Sequence, residues 1–147
     1  MVSSLLCAAA NCSLVIRRVD LLSLEARCDS AFVWALLLHR LRAGDKEGQA
    51  LADTVVEVAE AAPGSRLNLL LTDGETITAT AWGDTLWYLI EPGRRTLVAS
   101  EPHDDDPLWR EVPDRTLLTA NRTDVLLTPL KDMSEDTAPA QRKEPRT

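Results

Sequence analysis

The 147-residue chain has few of the side chains that most often hold a transition metal or build a disulfide framework. It contains two histidines and three cysteines, and Cys7, Cys12 and Cys28 lack the CxxC spacing of metal or redox motifs. A structural zinc site needs four ligands, and both histidines lie far from the cysteines in sequence. The pattern indicates a reduced, cytoplasmic protein with buried or idle thiols, and it implies neither a metal nor another cofactor.

The chain also lacks long apolar runs and clustered basic residues. No run reaches the length of a membrane span, and the first charge is Arg17, so the start lacks the positive region of a secretory signal. The net charge is −7, and the basic residues are scattered. We therefore expect neither a membrane nor a nucleic acid as partner.

Two segments with a helical apolar period come first, in a chain long enough for one domain. Asp29 or Ser30 can cap the first helix, and Gly44 can end it. The second helix is predicted to begin at Asp45 and to end at "APGS", residues 62–65. The apolar positions of the first helix include Val33, Leu36, Leu37 and Leu41.

From Arg66 onward the apolar period is two, which is typical of strands. "RLNLLLT" reads as a strand, Asp73-Gly74 predicts a hairpin, and "ETITATAW" alternates between apolar residues and threonines. We expect an antiparallel meander of four strands as far as Ser100, then two short strands joined across Asn121. The fold class predicted is α+β, with two helices packed on an antiparallel sheet.

The acidic stretch "SEPHDDDPLW" offers the densest group of polar side chains. Adjacent aspartates on an extended chain point alternately away from each other, and their spacing misses that of a calcium loop. Two prolines bracket the group, so we interpret it as a solvated loop. His39 and His103 are each interpreted as structural, and no GxSxG, phosphate-binding glycine loop or HExxH motif occurs. The residues alone therefore predict no reaction.

Five stretches nevertheless resemble one family: "DLLSLEARCDSAFVWALLLHRL", "SRLNLLLTDG", "ATAWGDTLW", "VASEPHDDDPLWREVPDR" and "DVLLTPL". They are similar to the C-terminal part of the class II glutamine-amidotransferase-like hydrolases of ergothioneine biosynthesis in actinobacteria. Those enzymes hydrolyse the γ-glutamyl amide of γ-glutamyl-hercynylcysteine sulfoxide. The resemblance implies part of the αββα sandwich of N-terminal-nucleophile hydrolases, a γ-glutamyl small molecule as ligand, and no cofactor. It divides the chain into a non-matching leader (1–18), the C-terminal part of the family domain (19–130) and a disordered tail (131–147).

The resemblance carries over one functional residue. The family nucleophile is a cysteine directly after the initiator Met, with its own α-amino group as base, and an Asn-Gly supplies part of the oxyanion hole. Here Val2 follows Met1, and Asn11 is followed by Cys12. Asp29 matches the aspartate that binds the ammonium of the γ-glutamyl group, so it is the implied substrate-binding residue.

Three hypotheses follow for the function. The first is a truncated γ-glutamyl hydrolase, inactive alone because no catalytic residue is carried over; Cys7, an internal thiol, is a poor substitute. The second is a non-catalytic binding module, or one that complements a separate N-terminal half. The third, an accidental likeness, would require five stretches to match in order by chance. Trp82 and Asp84 are pocket candidates by resemblance only, with core packing as the competing role of Trp82.

Loss of half a sandwich would also expose apolar surface. We expect the inner sheet face to lack its partner, and that face includes some of Leu67, Leu69, Ile77 and Leu86. An exposed patch of this kind favours association between copies. The sequence therefore predicts poor solubility or self-association through an exposed sheet face.

Overall fold

The computed structural model of the protein describes residues 29–130. The predicted leader (1–18), the predicted tail (131–147) and all three cysteines lie outside the described residues. Within this part of the chain two helices precede seven strands. The helices are α1, Asp29–Ala43, and α2, Glu47–Ala61. The strands are β1, Leu70–Thr72; β2, Ile77–Ala81; β3, Trp87–Glu91; β4, Arg95–Ala99; β5, Arg110–Glu111; β6, Thr116–Ala120; and β7, Val125–Pro129.

Helices α1 and α2 form a hairpin with a three-residue connection. Gly44 follows the last residue of α1 at φ +99°, a conformation that favours glycine, so the predicted stop is confirmed. Helix α2 begins two residues after its predicted start at Asp45, because Lys46 is still extended. Neither helix in the described range is long and apolar enough to cross a membrane.

An ion pair between two partly buried side chains joins the two helices. The Arg40 guanidinium, near the end of α1, donates to Glu57 of α2 at 2.7 Å and lies 3.6 Å from Asp53. The Arg40 side chain is 18% exposed, so solvent screens this pair less than a pair at the open surface. The contact holds the polar side of α2 against the end of α1.

The strands form two antiparallel sheets. Sheet 1 has the order β1-β2-β6-β7, and sheet 2 has the order β4-β3-β5. The predicted four-strand meander is therefore wrong, because β2 pairs with β6 while β3 pairs with β4 and β5. The turn at residues 82–86 takes the chain from one sheet to the other. In it Gly83 has φ +75°, and its N–H donates to the Asp114 carboxylate at 2.8 Å.

The β1–β2 hairpin occurs where Asp73-Gly74 predicted it, with a loop of residues 73–76. The Asp73 carboxylate accepts the N–H groups of Thr76 at 2.7 Å and Glu75 at 2.9 Å. These hydrogen bonds lower the pKa of Asp73 from its ordinary value. Gly74 has φ +95°, which explains the glycine at this position.

The first predicted strand is shorter than expected, because a side chain interrupts its ladder. The Thr80 hydroxyl donates to the Leu67 carbonyl at 2.7 Å and accepts the Leu69 N–H at 3.1 Å. The Leu67 carbonyl and the Leu69 N–H therefore form hydrogen bonds with a side chain, where a regular strand would pair them with backbone groups of its partner. Regular pairing starts only at Leu70.

The helices, sheet 1 and sheet 2 make three layers with a core on each side of sheet 1. Between the sheets lie Ala79, Ala81, Leu86, Val112, Leu118 and Ala120. Between the helices and sheet 1 lie Phe32, Val33, Leu36, Val55, Val58, Leu67, Trp82 and Leu130. Both faces of β2 are therefore buried, and the α+β class predicted from the sequence is confirmed.

The expected exposed inner face needs correction. Leu86, which directly precedes β3 of sheet 2, is 5% exposed because it packs against sheet 1, and Leu67, also 5% exposed, lies on the helix side of sheet 1. The large exposed apolar side chains lie elsewhere, and Leu126 of β7 is the most exposed of them at 64%. Self-association stays a prediction, but these two leucines are not the surface for it.

Truncating Leu118 tests the inter-sheet core. Leu118 is fully buried in β6, so Leu118→Ala removes packed methyl groups and leaves a cavity. We expect the free energy of unfolding to fall by about 2–5 kcal/mol in chemical denaturation. The matched control Leu108→Ala alters a leucine that is 42% exposed and should change stability by less than about 0.5 kcal/mol. Equal losses in the two variants would contradict the layer arrangement.

Candidate functional site

A groove opens beside the first turn of α1. It has a volume of about 780 Å³ and lies between α1 and the segment that joins α2 to β1. Its walls are mostly apolar, with polar groups from the connecting segment. The lining includes Ser30, Val33, Trp34, Arg66, Asn68 and Leu70. An apolar cleft with a few polar groups is the usual form of a small-molecule site.

Asp29 is the first residue of α1, next to Ser30 in the groove wall. The helix therefore includes both Asp29 and Ser30 in its first turn, whereas the sequence predicted that one of these two residues caps it. A carboxylate in a first turn is favoured by the positive end of the helix dipole. The Asp29 side chain lies outside the described part of the chain, so its predicted role in substrate binding stays a prediction.

The turn at Trp82–Leu86 stands behind one wall of the groove. The Asn68 side chain accepts the Trp82 N–H at 2.9 Å and donates to the Thr85 carbonyl at 2.7 Å. Arg66 reaches the Asp84 carboxylate at 3.4 Å. Asn68 and Arg66 line the groove, whereas Trp82 and Asp84 do not. Trp82 is 8% exposed within the helix-side core, so core packing is its role in this structure.

Asp114 and Arg115 hold the same turn from the opposite side. Asp114 accepts the Gly83 N–H, and the Arg115 guanidinium lies 5.2 Å from the centre of the Trp82 ring, a cation–π contact. Arg115 has φ +55°, a conformation that costs a non-glycine residue about 1–2 kcal/mol. Its carbonyl accepts the Leu130 N–H at 2.7 Å. A side chain at Gly83 would meet the Ser65 carbonyl at 3.3 Å, so this approach needs glycine.

The acidic stretch forms an irregular, mostly exposed loop, as predicted. Asp104 accepts the Trp109 indole N–H at 2.7 Å, and Asp106 accepts the Arg95 guanidinium at 3.2 Å. His103 lies 3.2 Å from the Asp104 carboxylate and meets the Trp109 ring edge-on at 5.3 Å between centres. These carboxylates fix the conformation of the loop through hydrogen bonds, and Asp104 holds the Trp109 side chain, which is 7% exposed, in its buried position.

The described residues do not assemble a cysteine nucleophile with its base. Residues 29–130 contain no cysteine, and in the same range no three His, Cys, Asp or Glu side chains converge as metal ligands. His103 is engaged in its loop, far along the chain from α1. The groove at α1 therefore has the chemistry of recognition: apolar walls, an amide, a guanidinium and the start of a helix.

The sequence analysis missed Asn68, Asp114 and Arg115, which position the wall of the groove. Asn68 interrupts an apolar run, "RLNLLL", where a strand in a core would carry no amide. That interruption was a usable signal, because a polar residue amid buried positions needs partners. The pairing of Asp114 with Gly83 had no such signal, since 31 residues separate them.

The Asp104–Trp109 contact predicts a pH dependence of stability. The indole hydrogen bond, then the Asp106 N–H, lower the pKa of Asp104 from its ordinary 3.8. A lowered folded-state pKa stabilises the fold above the unfolded pKa, and this stabilisation is lost as pH falls through the folded value. We expect Asp104→Asn to lower Tm at pH 7, with the difference shrinking as pH falls below 3.8 and vanishing only below the lowered pKa of Asp104 in the folded state. Asp105→Asn, in the same loop, is the control; a pH-independent deficit in Asp104→Asn would refute the ionic origin.

Comparison with known proteins finds relatives that are hydrolases. No family model matches the sequence. The γ-glutamyl-hercynylcysteine sulfoxide hydrolase of Mycolicibacterium smegmatis is 43% identical over 106 residues, which are 72% of this chain and 44% of that protein. The hydrolase of the same name from Mycobacterium tuberculosis strain H37Rv is 42% identical over 107 residues, 72% of this chain and 42% of the relative. The chain thus spans less than half the length of these relatives.

A solved structure agrees on the fold. A glutamine aminotransferase class-II domain protein from Silicibacter pomeroyi superposes with a TM-score of 0.63, covering 82% of this chain and 60% of the other, at 21% identity. At that identity the likeness supports the fold alone. Over most of its length the chain is therefore a homologue of part of the γ-glutamyl-hercynylcysteine sulfoxide hydrolases, with the fold of class II glutamine aminotransferase domains.

Proposed function

We propose that this chain carries the γ-glutamyl-binding part of a γ-glutamyl-hercynylcysteine sulfoxide hydrolase of ergothioneine biosynthesis, acting in the cytoplasm. The observation that carries the proposal is 42–43% identity to hydrolases of that name over 72% of the chain. The groove at the start of α1 supports it, because its size and apolar walls suit a small molecule. The ligand is the γ-glutamyl compound, and no cofactor takes part.

Asp29 is the residue that we assign to the ligand's ammonium. It is the first residue of α1, next in the chain to Ser30 of the groove wall, where the helix dipole alone would repel a cation. A carboxylate at this position reverses the local charge and forms a charge-assisted hydrogen bond with an ammonium. The γ-glutamyl group carries an ammonium and a carboxylate on one carbon, so its ammonium fits Asp29.

We propose further that the chain alone does not hydrolyse its ligand. Amide hydrolysis of the family type uses a cysteine thiol as nucleophile, and residues 29–130 contain no cysteine. The two histidines of that range lie in helix α1 and in the acidic loop. Binding without turnover is therefore the expected behaviour of the chain.

The test is ligand binding by the purified chain and by Asp29→Asn. Asparagine keeps the shape and helix preference of the position but removes the charge. A charge-assisted hydrogen bond contributes about 1.5–3 kcal/mol, so Kd for γ-glutamyl-hercynylcysteine sulfoxide should rise about 10- to 100-fold by calorimetry. The thermal midpoint should stay within a few degrees of the wild type. Asp105→Asn, in the acidic loop and outside the groove lining, should leave Kd unchanged.

Each part of the proposal has its own contrary result. If Asp29→Asn binds as tightly as the wild type, the ammonium contacts another group and the assignment of Asp29 is wrong. If the wild-type chain binds no γ-glutamyl compound, the proposed ligand is wrong. Release of glutamate by the chain alone would overturn the proposal of binding without turnover.

A second candidate function is complementation of a separately encoded N-terminal half. It is favoured by the span of the match, which covers only 42–44% of each relative. The partner would begin with cysteine once its Met is removed, and the two chains would form one domain. We expect a tagged copy of this chain to co-purify such a protein from its native cells and to release glutamate only in its presence. Glutamate release by the partner alone would refute complementation.

A further inference from the structure

We propose that Arg66 is the specificity residue of the groove at the start of α1. Its guanidinium binds a carboxylate of the ligand, and the Asp84 carboxylate competes for the same guanidinium. The inference rests on the proposed function, because it concerns how this groove holds a γ-glutamyl compound. The carboxylate is that of the amino acid joined to the γ-glutamyl group through the amide. Arg66 thus distinguishes γ-glutamyl amino acids from γ-glutamyl amides of simple amines.

Arg66 carries the charge of this groove. Among the described residues that line it, Arg66 is the one with a formally charged side chain. The other polar side chains of the lining are those of Ser30, Ser65 and Asn68, and the remaining lining is apolar apart from Gly64. The groove therefore presents a positive charge beside apolar walls, which suits a ligand with a negatively charged group.

The hydrogen bonds of the lining leave Arg66 as its anion-binding group. The Ser65 hydroxyl donates to a carbonyl of its own turn at 2.7 Å. The Asn68 amide accepts one backbone N–H and donates to two backbone carbonyls of the turn at residues 82–86. Ser30 adds a hydroxyl but no charge. A carboxylate that enters the groove therefore finds its charged partner in Arg66.

Asp84 holds Arg66 through a long contact. The distance from Arg66 Nη1 to Asp84 Oδ2 is 3.4 Å, whereas a charge-assisted hydrogen bond measures about 2.7–2.9 Å. The two side chains are 73% and 50% exposed, so water screens the pair. A guanidinium has five N–H donors in a fork that matches a carboxylate at two points. Arg66 can therefore exchange Asp84 for a ligand carboxylate at small cost.

The backbone on both sides of Arg66 is anchored, although its side chain is exposed. The Leu67 N–H donates to the Trp82 carbonyl at 2.9 Å. Gly83 approaches the same segment so closely that a Cβ there would meet the Ser65 carbonyl at 3.3 Å. The base of the Arg66 side chain is thus fixed relative to the turn that carries the competing carboxylate. Only the side chain has to move between the two partners.

The charges of the ligand decide which carboxylate Arg66 takes. The γ-glutamyl group carries an ammonium and a carboxylate on one carbon, and both suit the start of α1. Asp29 is assigned to the ammonium, and the N–H groups of a first helical turn favour a carboxylate. The amino acid beyond the amide brings a carboxylate without an ammonium, because its nitrogen is the amide nitrogen. This uncompensated negative charge needs a cation, and Arg66 supplies one.

Two ligands that differ by one carboxylate test this assignment. γ-Glutamylcysteine has the carboxylate beyond the amide, and γ-glutamylcysteamine lacks it. By calorimetry we expect the wild-type chain to bind γ-glutamylcysteine about 10-fold more tightly, the effect of one charge-assisted hydrogen bond. Arg66→Gln should bind the two ligands equally. Arg66→Lys, which keeps the charge but not the fork, should show an intermediate ratio.

The matched control is Arg122→Gln, the same change at an exposed position outside the groove lining, and it should keep the wild-type ratio. A wild-type chain that binds both ligands equally would overturn the proposal. A loss of affinity in Arg66→Gln that is the same for both ligands would also overturn it, because the guanidinium would then contact another part of the ligand.

Removing the competing charge tests the role of Asp84. Asp84→Asn keeps an oxygen that can accept the Thr85 N–H, a bond of 2.9 Å in the native chain. Loss of an exposed ion pair should lower Kd for γ-glutamylcysteine about two- to fivefold. The same substitution added to Arg66→Gln should leave Kd unchanged, because its effect acts through Arg66. Weaker binding by Asp84→Asn, or an equal gain without Arg66, would refute the competition.

The outcomes separate this proposal from the proposed function. If the wild-type chain binds γ-glutamylcysteine and Asp29→Asn weakens that binding while Arg66→Gln does not, the proposed function stands and the role of Arg66 is wrong. If the wild-type chain binds neither ligand, the proposed function fails, and the role of Arg66 fails with it.

Discussion

Strand β2 has both faces buried, and the positions of the other elements follow from this constraint. Ala79 and Ala81 face sheet 2, while Thr78 and Thr80 face the helices. A strand with no solvent-exposed face needs a layer on each side, so the helical hairpin and the second sheet must both pack against sheet 1. The alternation of alanine with threonine suits this position. Small residues let the sheets approach, and the Thr80 hydroxyl binds backbone atoms that its burial would otherwise leave unpaired.

The same constraint builds the wall of the candidate site. Because β2 and β3 belong to different sheets, the turn between them must cross at the edge of the sandwich beside the start of α1. Asn68 and Asp114 hold that turn from its two sides, and Arg115 covers Trp82. The groove thus rests on elements that are anchored to the core, which favours a preformed site. Ligand recognition is proposed for this end of the sandwich.

The extent of successful prediction differed between local and long-range features. Both helices, the hairpin at Asp73-Gly74 and the two late strands were predicted, because capping, periodicity and turn residues are local signals. The four-strand meander was wrong, since alternation identifies a strand without naming its neighbour. The acidic loop was correctly interpreted, yet its role in seating Trp109 through Asp104 appears only when the two are brought together.

By itself the sequence determined the α+β class, the order of the two helices and of six of the seven strands (β5 was not predicted), and the likeness to a family of γ-glutamyl hydrolases. Tertiary structure decided that the strands divide into two sheets and that Leu86 is buried between them. The reason is physical: turns and periods depend on neighbouring residues, whereas pairing and burial depend on contacts between residues far apart in the chain.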